Sequence, residues 1–468
     1  MGRDWVETSW LPDLNGRSGP KYLRIADAMA EDIYGGRLVD GARLPTHRDL
    51  AWRLGVTVGT VTRAYLEGER RGLIVGEVGR GSFVRASARM SSAAEMPRPG
   101  DEDTIELGVN RTPPGLMADA VAEGLVRLAG LRDIDQLLNY HASGGLPRHR
   151  TACARWLESR GLYASADQVA VTSGAEHVIA ASLMAFNDPG APVLVEPLTW
   201  SGTRALATLL RMPLRAVPMD EEGITAEGLD AQIRASGARI AYLQPTLHNP
   251  TTAVMSMERR REVAEVIRRH GILVIEDDVY GLLHPDAPAP LASLIPEQVI
   301  YATSASKVLS PGLRVGCALL PDAQAARFAV AARAVNWMAP PPMAALLSFW
   351  VEDGVALDMT KRIREEVAVR LAIAKEILAG FDLRSGAGAF HVWLTLPEPW
   401  RARELVAAAR RQGLTLMDTE MFVPGRNTTP HAVRVSITAP RSHDELRTGF
   451  SRLRAILSAP PEIRLIEA

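Results

Sequence analysis

The chain has few cysteines and lacks any long apolar run. Only Cys153 and Cys317 occur among 468 residues, far apart and without metal-ligand spacing. The sequence therefore predicts neither a disulfide framework nor a zinc site, and we expect both thiols to be reduced, buried and inert. No stretch approaches the roughly 18 to 20 apolar residues that cross a bilayer, and the acidic N-terminus is unlike a signal peptide. We therefore expect a cytoplasmic protein that binds neither metal nor membrane.

The chain also lacks an excess of either charge. Its formal net charge is -1, with 47% hydrophobic and 23% charged residues, which is typical of water-soluble globular proteins. A length of 468 residues predicts at least two domains. A near-neutral balance does not exclude nucleic acid, because a small DNA-binding module can be locally basic within a neutral chain. Any affinity for DNA must then come from the placement of charge.

A segment without apolar periodicity divides the sequence. Residues 86–104 are rich in Ala, Ser, Pro, Arg and acidic residues, a composition that is typical of a linker between compact parts. The sequence therefore predicts a small domain over residues 1–85, which we call the head, and a large domain over residues 105–468, which we call the body.

Three helices are predicted in the head. Apolar residues at helical spacing predict the first over Tyr22–Tyr34, and a Gly-Gly pair ends it. Thr46 is the predicted N-cap of a second helix, His47–Leu54. A short Gly-containing turn leads to Thr57, the predicted N-cap of a third helix, Val58–Arg71. Two short helices joined by such a turn predict a helix-turn-helix.

Two short strands follow the third helix. They are predicted over 72–75 and 79–84, around a glycine-rich tip that has the position of a wing. The segments LPT, GVT, TVTRAY, RGLI and GRGSFV occur in the order and spacing of a winged helix-turn-helix, and over nearly all of the head they resemble the GntR family of bacterial regulators. The resemblance implies binding to a double-stranded DNA operator.

Six residues of the head are candidates for contact with DNA. A recognition helix places polar or cationic side chains near its N-terminal end, where it meets base edges, while flanking groups hold phosphates. The candidates are Thr57, Thr60 and Arg63 on the third helix, Arg48 and Arg53 on the second, and Arg80 at the tip, where it could enter the minor groove. A solvated helix face is the alternative for each arginine, and for Arg53 the two interpretations are equally favoured.

The body alternates short apolar strands with helical stretches. This pattern predicts an α/β fold with a mainly parallel sheet covered on both faces, followed by a smaller C-terminal α+β part. In such a sheet ligands bind at the carboxyl ends of the strands. The predicted strands are 169–172, 193–195, 240–243, 272–275 and 299–302.

Lys307 is the only lysine between Lys21 and Lys361, in a chain whose other cations are almost all arginine. Arginine cannot form an imine, whereas a desolvated lysine can lose its proton and attack an aldehyde, so Lys307 is a candidate for a Schiff base. The best-known aldehyde partner is pyridoxal 5'-phosphate. A surface lysine in a Ser-rich turn is the alternative, but Arg314 seven residues later and the Pro-Gly turn between them resemble the lysine segment of fold-type-I aminotransferases.

Groups at the predicted strand ends suit the other parts of that cofactor. Ser173, Gly174 and Ala175 follow a strand and open a helix, so their N–H groups are predicted to receive a phosphate. The side chains of Ser304, Ser306 and Arg314 are predicted to bind the same phosphate. Asp277 ends another strand, and a carboxylate buried there needs a cationic partner such as a protonated pyridine nitrogen. Asp278 competes with it, but the resemblance to fold-type-I aminotransferases selects Asp277, because Asp277 and Tyr280 match the Asp-x-x-Tyr spacing of that family.

The body resembles fold-type-I aminotransferases from about residue 105 to residue 455. The residues that carry the resemblance occur in family order: Tyr140, Trp200, Asn249, Asp277, Tyr280, Lys307, Arg314 and Arg434. The resemblance implies that Asn249 and Tyr280 hydrogen-bond the pyridine 3-oxygen and that Trp200 stacks on the ring. It also implies that Tyr140 reaches the cofactor phosphate of the neighbouring subunit in a homodimer, and that Arg434 grips a carboxylate of the effector.

For three of these residues the sequence alone leaves a structural alternative open. Asn249 also suits an Asn-Pro turn, Trp200 a place in the core, and Arg434 a strand position paired with acidic neighbours.

A GntR-like head fused to an aminotransferase-like body resembles the MocR subfamily of transcriptional regulators. The resemblance implies a regulator that binds pyridoxal phosphate and responds to an effector, either a small amino compound or the cofactor itself. The alternative is an active pyridoxal-phosphate-dependent aminotransferase of an amino acid or amine with an appended head.

Overall fold

The computed structural model describes residues 9–14, 19–34, 37–39, 41–70, 73–77, 81–84, 104–142, 144–424 and 429–459. Contacts divide the chain into two compact units, Met1–Met96 and Pro97–Ala468. The predicted linker lies almost wholly outside the described residues, so the predicted domain boundaries remain predictions. Within the described ranges no helix is both long and apolar enough to span a membrane, and no three His, Cys, Asp or Glu residues are arranged to hold a metal ion.

The head has the predicted order of elements. Its helices are α1 (Lys21–Tyr34), α2 (His47–Leu54) and α3 (Val58–Arg70), and its strands are β1 (Ile74–Glu77) and β2 (Gly81–Val84), which pair antiparallel as the wing. Both predicted caps are present. The Thr46 hydroxyl accepts from the Asp49 N–H at 3.2 Å, and the Thr57 hydroxyl accepts from the Thr60 N–H at 3.2 Å. These bonds satisfy N–H groups that the first turn of a helix leaves unpaired.

One face of each head helix is buried in a common core. Met29 of α1, Leu50 of α2 and Tyr65 of α3 are all at most 1% exposed, and each such large side chain contributes about 1.5–3 kcal/mol by burial. The Tyr65 hydroxyl donates to the Pro45 carbonyl at 2.7 Å, which ties α3 to the start of α2. The opposite face of α3, including Val58, is exposed.

A seven-stranded sheet forms the centre of the body, in the order β4-β12-β11-β10-β9-β5-β6. Its strands are β4 (Val169–Thr172), β5 (Val193–Val195), β6 (Leu214–Ala216), β9 (Ile240–Leu243), β10 (Leu273–Asp277), β11 (Val299–Ser304) and β12 (Gly316–Leu319). The predicted mainly parallel sheet is confirmed. Only β12 runs antiparallel to its neighbours, β11 and β4, and it was not predicted.

Helices cover both faces of this sheet, as alternate residues of β4 show. Val169 and Val171 belong to the same apolar cluster as Trp156, whereas Ala170 packs in a second cluster with Val178. The helices from the start of the body to the end of the large sheet are α4 (Ala118–Ala129), α5 (Ile134–Leu137), α6 (Pro147–Glu158), α7 (Ala175–Phe186), α8 (Ser201–Leu209), α9 (Ala226–Ser236), α10 (Met257–His270), α11 (Leu291–Leu294) and α12 (Ala305–Val308).

The C-terminal part of the body is a smaller α+β layer. Its sheet has the order β13-β14-β16, and a separate parallel pair joins β15 to β3. These strands are β3 (Ile105–Glu106), β13 (Leu383–Arg384), β14 (His391–Thr395), β15 (Leu414–Thr415) and β16 (Ala432–Ser436). The helices are α13 (Asp322–Asn336), α14 (Pro341–Glu352), α15 (Val355–Ile377), α16 (Ala402–Arg411) and α17 (His443–Ser458). A short hairpin, β7 (Met219–Asp220) and β8 (Gly223–Ile224), completes the strands.

The expectation of two unpaired cysteines was wrong. Cys153 of α6 and Cys317 of β12 form a disulfide, with Cα atoms 6.3 Å apart. They are separated by 164 residues, and the fold brings them together because α6 packs on β4 and β4 pairs with β12. Both are buried, as expected.

Candidate functional site

Lys307 lies in α12, the short helix that follows β11. Its Nζ donates to the main-chain oxygen of Asn110 at 2.7 Å. Burial lowers the pKa of Lys307 to about 8, with a contribution in the same direction from the positive charge of Arg434 and an opposing one from Asp277. A lysine with this pKa is partly neutral near neutral pH, which a nucleophilic amine requires.

Asp277 lies at the carboxyl end of β10 and is 4% exposed. Its Oδ2 accepts from the Tyr242 hydroxyl at 2.7 Å and from Gln244 Nε2 at 2.9 Å, and Oδ1 accepts from the Val279 N–H at 3.3 Å. Burial raises the pKa of Asp277, and these hydrogen bonds lower it. Each of these donors is neutral, so Asp277 is a buried carboxylate suited to a cationic ligand atom.

The neighbouring Asp278 has a different environment. Its Oδ2 accepts from Arg160 Nε at 2.7 Å and from the Tyr301 hydroxyl at 2.8 Å, with both charged side chains buried. Asp278 is therefore neutralised within the protein, which agrees with the choice of Asp277 as the residue for a ligand.

Tyr280 and Lys307 both contact Asn110. The Tyr280 hydroxyl oxygen accepts from Asn110 Nδ2 at 3.0 Å, and Asn110 Nδ2 also contacts His391 Nδ1 at 2.8 Å. Burial raises the pKa of Tyr280 to about 12, so its hydroxyl keeps its proton at neutral pH. Asn110 therefore contacts Lys307 through its main-chain oxygen and Tyr280 through its side-chain amide.

Arg434 of β16 is 3% exposed, and burial lowers its pKa to about 10. It donates to Asn249 Oδ1 at 2.9 Å, to the Gly108 carbonyl and to the Met417 sulfur, and it lies 5.0 Å from the centroid of the Phe422 ring. In the described part of the chain its Nε has no partner. None of these hydrogen-bond partners is a carboxylate, and the nearby negative charge of Glu106 raises the pKa of Arg434 against the effect of burial.

Ser173 and Gly174 lead into α7, which begins at Ala175. The Ser173 N–H, one of those predicted to receive a phosphate, instead donates to His177 Nδ1 at 3.1 Å. Gly174 has φ of +89° and its N-cap position has no side-chain cap, so N–H groups of the first turn remain for an anion. Arg314 donates to the Ser173 carbonyl at 3.2 Å, and a Cβ on Gly174 would lie 3.1 Å from its guanidinium. Asn336 donates to the Ser173 hydroxyl at 2.6 Å. Ser173, Arg314 and Asn336 thus form a compact polar cradle around Gly174.

Ser304 ends β11, and Ser306 lies in α12, the helix that carries Lys307. Their hydroxyls are 2.9 Å apart, and the Ser304 hydroxyl also caps α12 by accepting from the Ser306 N–H at 3.1 Å. The structure thus gives Ser304 a local role, and it leaves both hydroxyls near the segment that carries Lys307.

Trp200 and Tyr140 differ in their exposure. Trp200 is half-buried at the start of α8, and a side-chain carbon on Gly202 would overlap its ring, so residue 202 must be glycine for this ring position. Tyr140 is 74% exposed and packs against Trp337 with ring centroids 5.1 Å apart. Tyr140 is therefore accessible to another molecule rather than part of the core.

The predicted DNA-contact residues of the head are mostly exposed. Arg48, Arg63 and Thr57 are exposed, and Thr60 is half-buried with its hydroxyl 2.9 Å from that of Thr57. Arg53 instead donates to the Ser9 carbonyl at 2.8 Å and lies 3.6 Å from the Asp49 carboxylate. Arg80 lies outside the described residues.

A cavity of about 780 Å³ lies between the large sheet and the C-terminal part of the body. Its lining includes the apolar residues Leu198, Val254 and Trp393 and the charged residues Asp220, Glu221, Lys375 and Arg384. Its lining contains none of the predicted cofactor residues.

Sequence reasoning missed several polar residues that complete the site. They are Asn110, Tyr242, Gln244, Asn336 and His391. Gln244 follows β9 by one residue, so the rule that ligands bind at strand ends would have found it. Asn110 and His391 gave no such signal, because each acts through contacts distant in sequence.

Two family models match the chain. The model for aminotransferase class I and II matches residues 102–453, well over half of the chain. The model for bacterial regulatory proteins of the gntR family matches residues 21–84, which include the helix-turn-helix and the wing.

Curated relatives include transcriptional regulators that match over most of the chain and a transaminase that matches over about two thirds of it. The uncharacterized HTH-type transcriptional regulator YdeF of Bacillus subtilis is 29% identical over 449 residues, which are 96% of this chain and 97% of the relative. The corresponding regulator YdcR of Escherichia coli is 25% identical over 436 residues, 87% of this chain and 93% of the relative. A 2-aminoadipate transaminase of Thermus thermophilus is 27% identical over 318 residues, 66% of this chain and 77% of the relative.

Solved structures agree on the fold of the body. An archaeal alanine:glyoxylate aminotransferase matches with a TM-score of 0.71 at 22% identity, over 79% of this chain and 94% of that chain. The alpha-aminoadipate aminotransferase LysN from Thermus thermophilus matches with a TM-score of 0.69 at 23% identity, over 78% and 96%. The chain therefore belongs to the class I and II aminotransferase family over its body and carries a GntR-type domain as its head, the architecture of MocR-type transcriptional regulators.

Proposed function

We propose that the body binds pyridoxal 5'-phosphate on Lys307, and that an amino compound bound at the same site changes how the head binds its DNA operator. The observation that carries the proposal is the convergence of three groups in one site. These are a lysine of lowered pKa, a buried Asp277 whose described donors are neutral, and a buried Arg434 without a carboxylate partner among the described residues. Lys307 suits the aldehyde of the cofactor, Asp277 its pyridine nitrogen, and Arg434 the carboxylate of the effector.

The residues present fit this cofactor. Pyridoxal phosphate supplies an aldehyde for a lysine amine and a pyridine ring that withdraws electrons when its nitrogen is protonated. Asp277 would hold that nitrogen, Asn249 and Tyr280 the 3-oxygen, and the start of α7 with Arg314 the phosphate. The uncapped turn at Gly174 supports the last assignment, because it leaves N–H groups for an anion.

The side chains suit an effector that carries both an amine and a carboxylate. Arg434 offers a planar fork of donors for a carboxylate, and its hydrogen bond to Asn249 Oδ1 leaves the Asn249 amide nitrogen as a donor. Lys307 can hold or release a proton because its pKa is lowered to about 8. The exposed Tyr140 supports a homodimer in which it reaches the neighbouring site. A DNA-binding regulator of this kind would act in the cytoplasm.

The test is a DNA-binding titration on the gene's own upstream region at fixed salt. It compares apo protein, protein with pyridoxal phosphate, and protein with cofactor plus a pool of amino acids and amines. A change with cofactor alone identifies the cofactor as the effector, and a further change with the pool identifies an amino compound. Equal affinity and an equal footprint in all three states would contradict regulation by this site.

An active aminotransferase is the second candidate, and the completeness of the site favours it. Transamination would use Lys307 as the amine, Asp277 and Tyr280 to hold the cofactor, and Arg434 to hold a carboxylate. Sustained turnover with an amino donor and a 2-oxo acid, lost in Lys307→Ala, would support this function. The absence of turnover over a broad panel would leave regulation as the use of the site.

A further inference from the structure

We propose that Asn110 is a positioning residue that fixes the Tyr280 hydroxyl as a hydrogen-bond donor toward the 3-oxygen of the cofactor. The inference rests on the proposed binding of pyridoxal phosphate at Lys307. It concerns how protons are arranged in a chain of four groups: the Pro250 carbonyl, His391, Asn110 and Tyr280.

The chain begins at a group that can only accept. His391 Nε2 lies 3.0 Å from the Pro250 carbonyl oxygen, so Nε2 must carry the hydrogen of that bond. His391 is 1% exposed, and burial together with the positive charge of Arg434 lowers its pKa well below the ordinary value. The ring is therefore neutral, and its Nδ1 is an acceptor.

The His391 tautomer determines the orientation of the Asn110 amide. Asn110 Nδ2 lies 2.8 Å from His391 Nδ1, so it donates one hydrogen to this acceptor. The reversed amide would place Oδ1 against Nδ1, with two acceptors facing each other. The second hydrogen of Nδ2 then goes to the Tyr280 hydroxyl oxygen, 3.0 Å away.

Tyr280 consequently uses its oxygen, and not its own hydrogen, in the contact with Asn110. Its hydrogen remains for another acceptor, and the high pKa of about 12 keeps it in place. A donated hydrogen bond also polarises the hydroxyl and makes it a stronger donor. Such a donor is what an anionic 3-oxygen requires.

The same residue also contacts the lysine. The main-chain oxygen of Asn110 accepts from Lys307 Nζ at 2.7 Å, while its side-chain Oδ1 is buried without a partner among the described residues. One residue thus touches Lys307 through its backbone and Tyr280 through its side chain. A substitution of the side chain can therefore remove the second contact and retain the first.

The test measures the pH dependence of the visible absorption of the Lys307-bound cofactor. In Asn110→Leu the Tyr280 hydroxyl loses the hydrogen bond from Asn110 and becomes a weaker donor toward the 3-oxygen of the cofactor. The anionic 3-oxygen is then stabilised less, so the protonated form of the Lys307-bound cofactor is favoured. We expect the midpoint to rise by about 0.5–1 pH unit, a three- to tenfold change in proton affinity. In a Tyr280→Phe background the same substitution should cause no further rise, because Asn110 acts through Tyr280.

Two further variants distinguish the positioning role of Asn110 from a general effect of the substitution on folding. Asn187→Leu removes another buried asparagine, whose amide donates to the Ala191 carbonyl at 3.0 Å at the far end of α7, and should leave the midpoint unchanged. His391→Phe removes the acceptor that orients Asn110, and should raise the midpoint without adding to Asn110→Leu.

The outcomes are distinct. An equal shift from Asn110→Leu with and without the Tyr280 hydroxyl, or an unchanged midpoint in a variant that still binds cofactor, would overturn the role of Asn110. A wild-type protein that develops no Lys307-dependent absorption with pyridoxal phosphate would overturn the proposed cofactor site as well.

Discussion

Arg434 donates a hydrogen bond to Asn249 across 185 residues of sequence, with 2.9 Å between its guanidinium nitrogen and the amide oxygen. The bond joins the residue proposed for the effector carboxylate to a residue proposed for the cofactor. It also determines which end of the Asn249 amide remains as a donor, because a guanidinium cannot accept.

The first prediction concerns selectivity for carboxylates. Arg434→Gln removes the charge and the forked donor, so the protein should lose its preference for amino acids over the corresponding decarboxylated amines. A charge-assisted pair contributes about 1.5–3 kcal/mol, which corresponds to roughly a 10- to 100-fold loss in affinity for the amino acid. Absorbance titration of the cofactor-loaded protein measures its affinity for the amino acids and for the corresponding amines. Retained preference for the amino acids would place their carboxylate elsewhere.

The second prediction contrasts two adjacent carboxylates. Asp278→Asn breaks the buried pair with Arg160 and should destabilise the fold by about 3 kcal/mol in urea unfolding. Asp277→Asn removes a buried charge whose described donors are neutral, so the apo protein should be as stable as wild type or more so.

The same pair separates stability from cofactor binding. Asp277→Asn should lose most of the stabilisation that added pyridoxal phosphate gives the wild type, because the pyridine nitrogen loses its anionic partner. If Asp278→Asn were the variant that kept its stability and lost the cofactor response, the assignment of the two residues would be reversed.

Local signals predicted much of this arrangement, and long-range contacts account for what they missed. The bounds of α2 followed from Thr46 and the Gly turn, and Asp277 from its place at a strand end. His391 and Asn110 are 281 residues apart in sequence and meet only in the folded body. Their contact and the Cys153–Cys317 bond each depend on tertiary packing, which no local periodicity encodes.

The third prediction concerns pH. Because the pKa of Lys307 is lowered to about 8, the neutral amine that reacts with an aldehyde should increase as the pH rises through this value. The rate of covalent attachment of pyridoxal phosphate should therefore rise about tenfold per pH unit below 8 and level off above it. Stopped-flow absorbance measures the rate, and Lys307→Ala is the control for attachment elsewhere. A rate that kept rising to pH 10 would show an unperturbed lysine.

The fourth prediction distinguishes the arginines of the head. Arg48 and Arg63 are exposed, whereas the Arg53 guanidinium is held by the Ser9 carbonyl and lies near Asp49. If Arg48 and Arg63 contact DNA phosphates, each substitution by alanine should weaken binding and reduce the slope of log K against log salt by about 1. Arg53→Ala should leave that slope nearly unchanged and instead lower the stability of the head, because the N-terminal segment loses an attachment. Fluorescence anisotropy with one operator fragment at several salt concentrations measures the slopes, and thermal unfolding measures the stability. A full unit of slope lost in Arg53→Ala, with stability unchanged, would assign that arginine to the DNA interface.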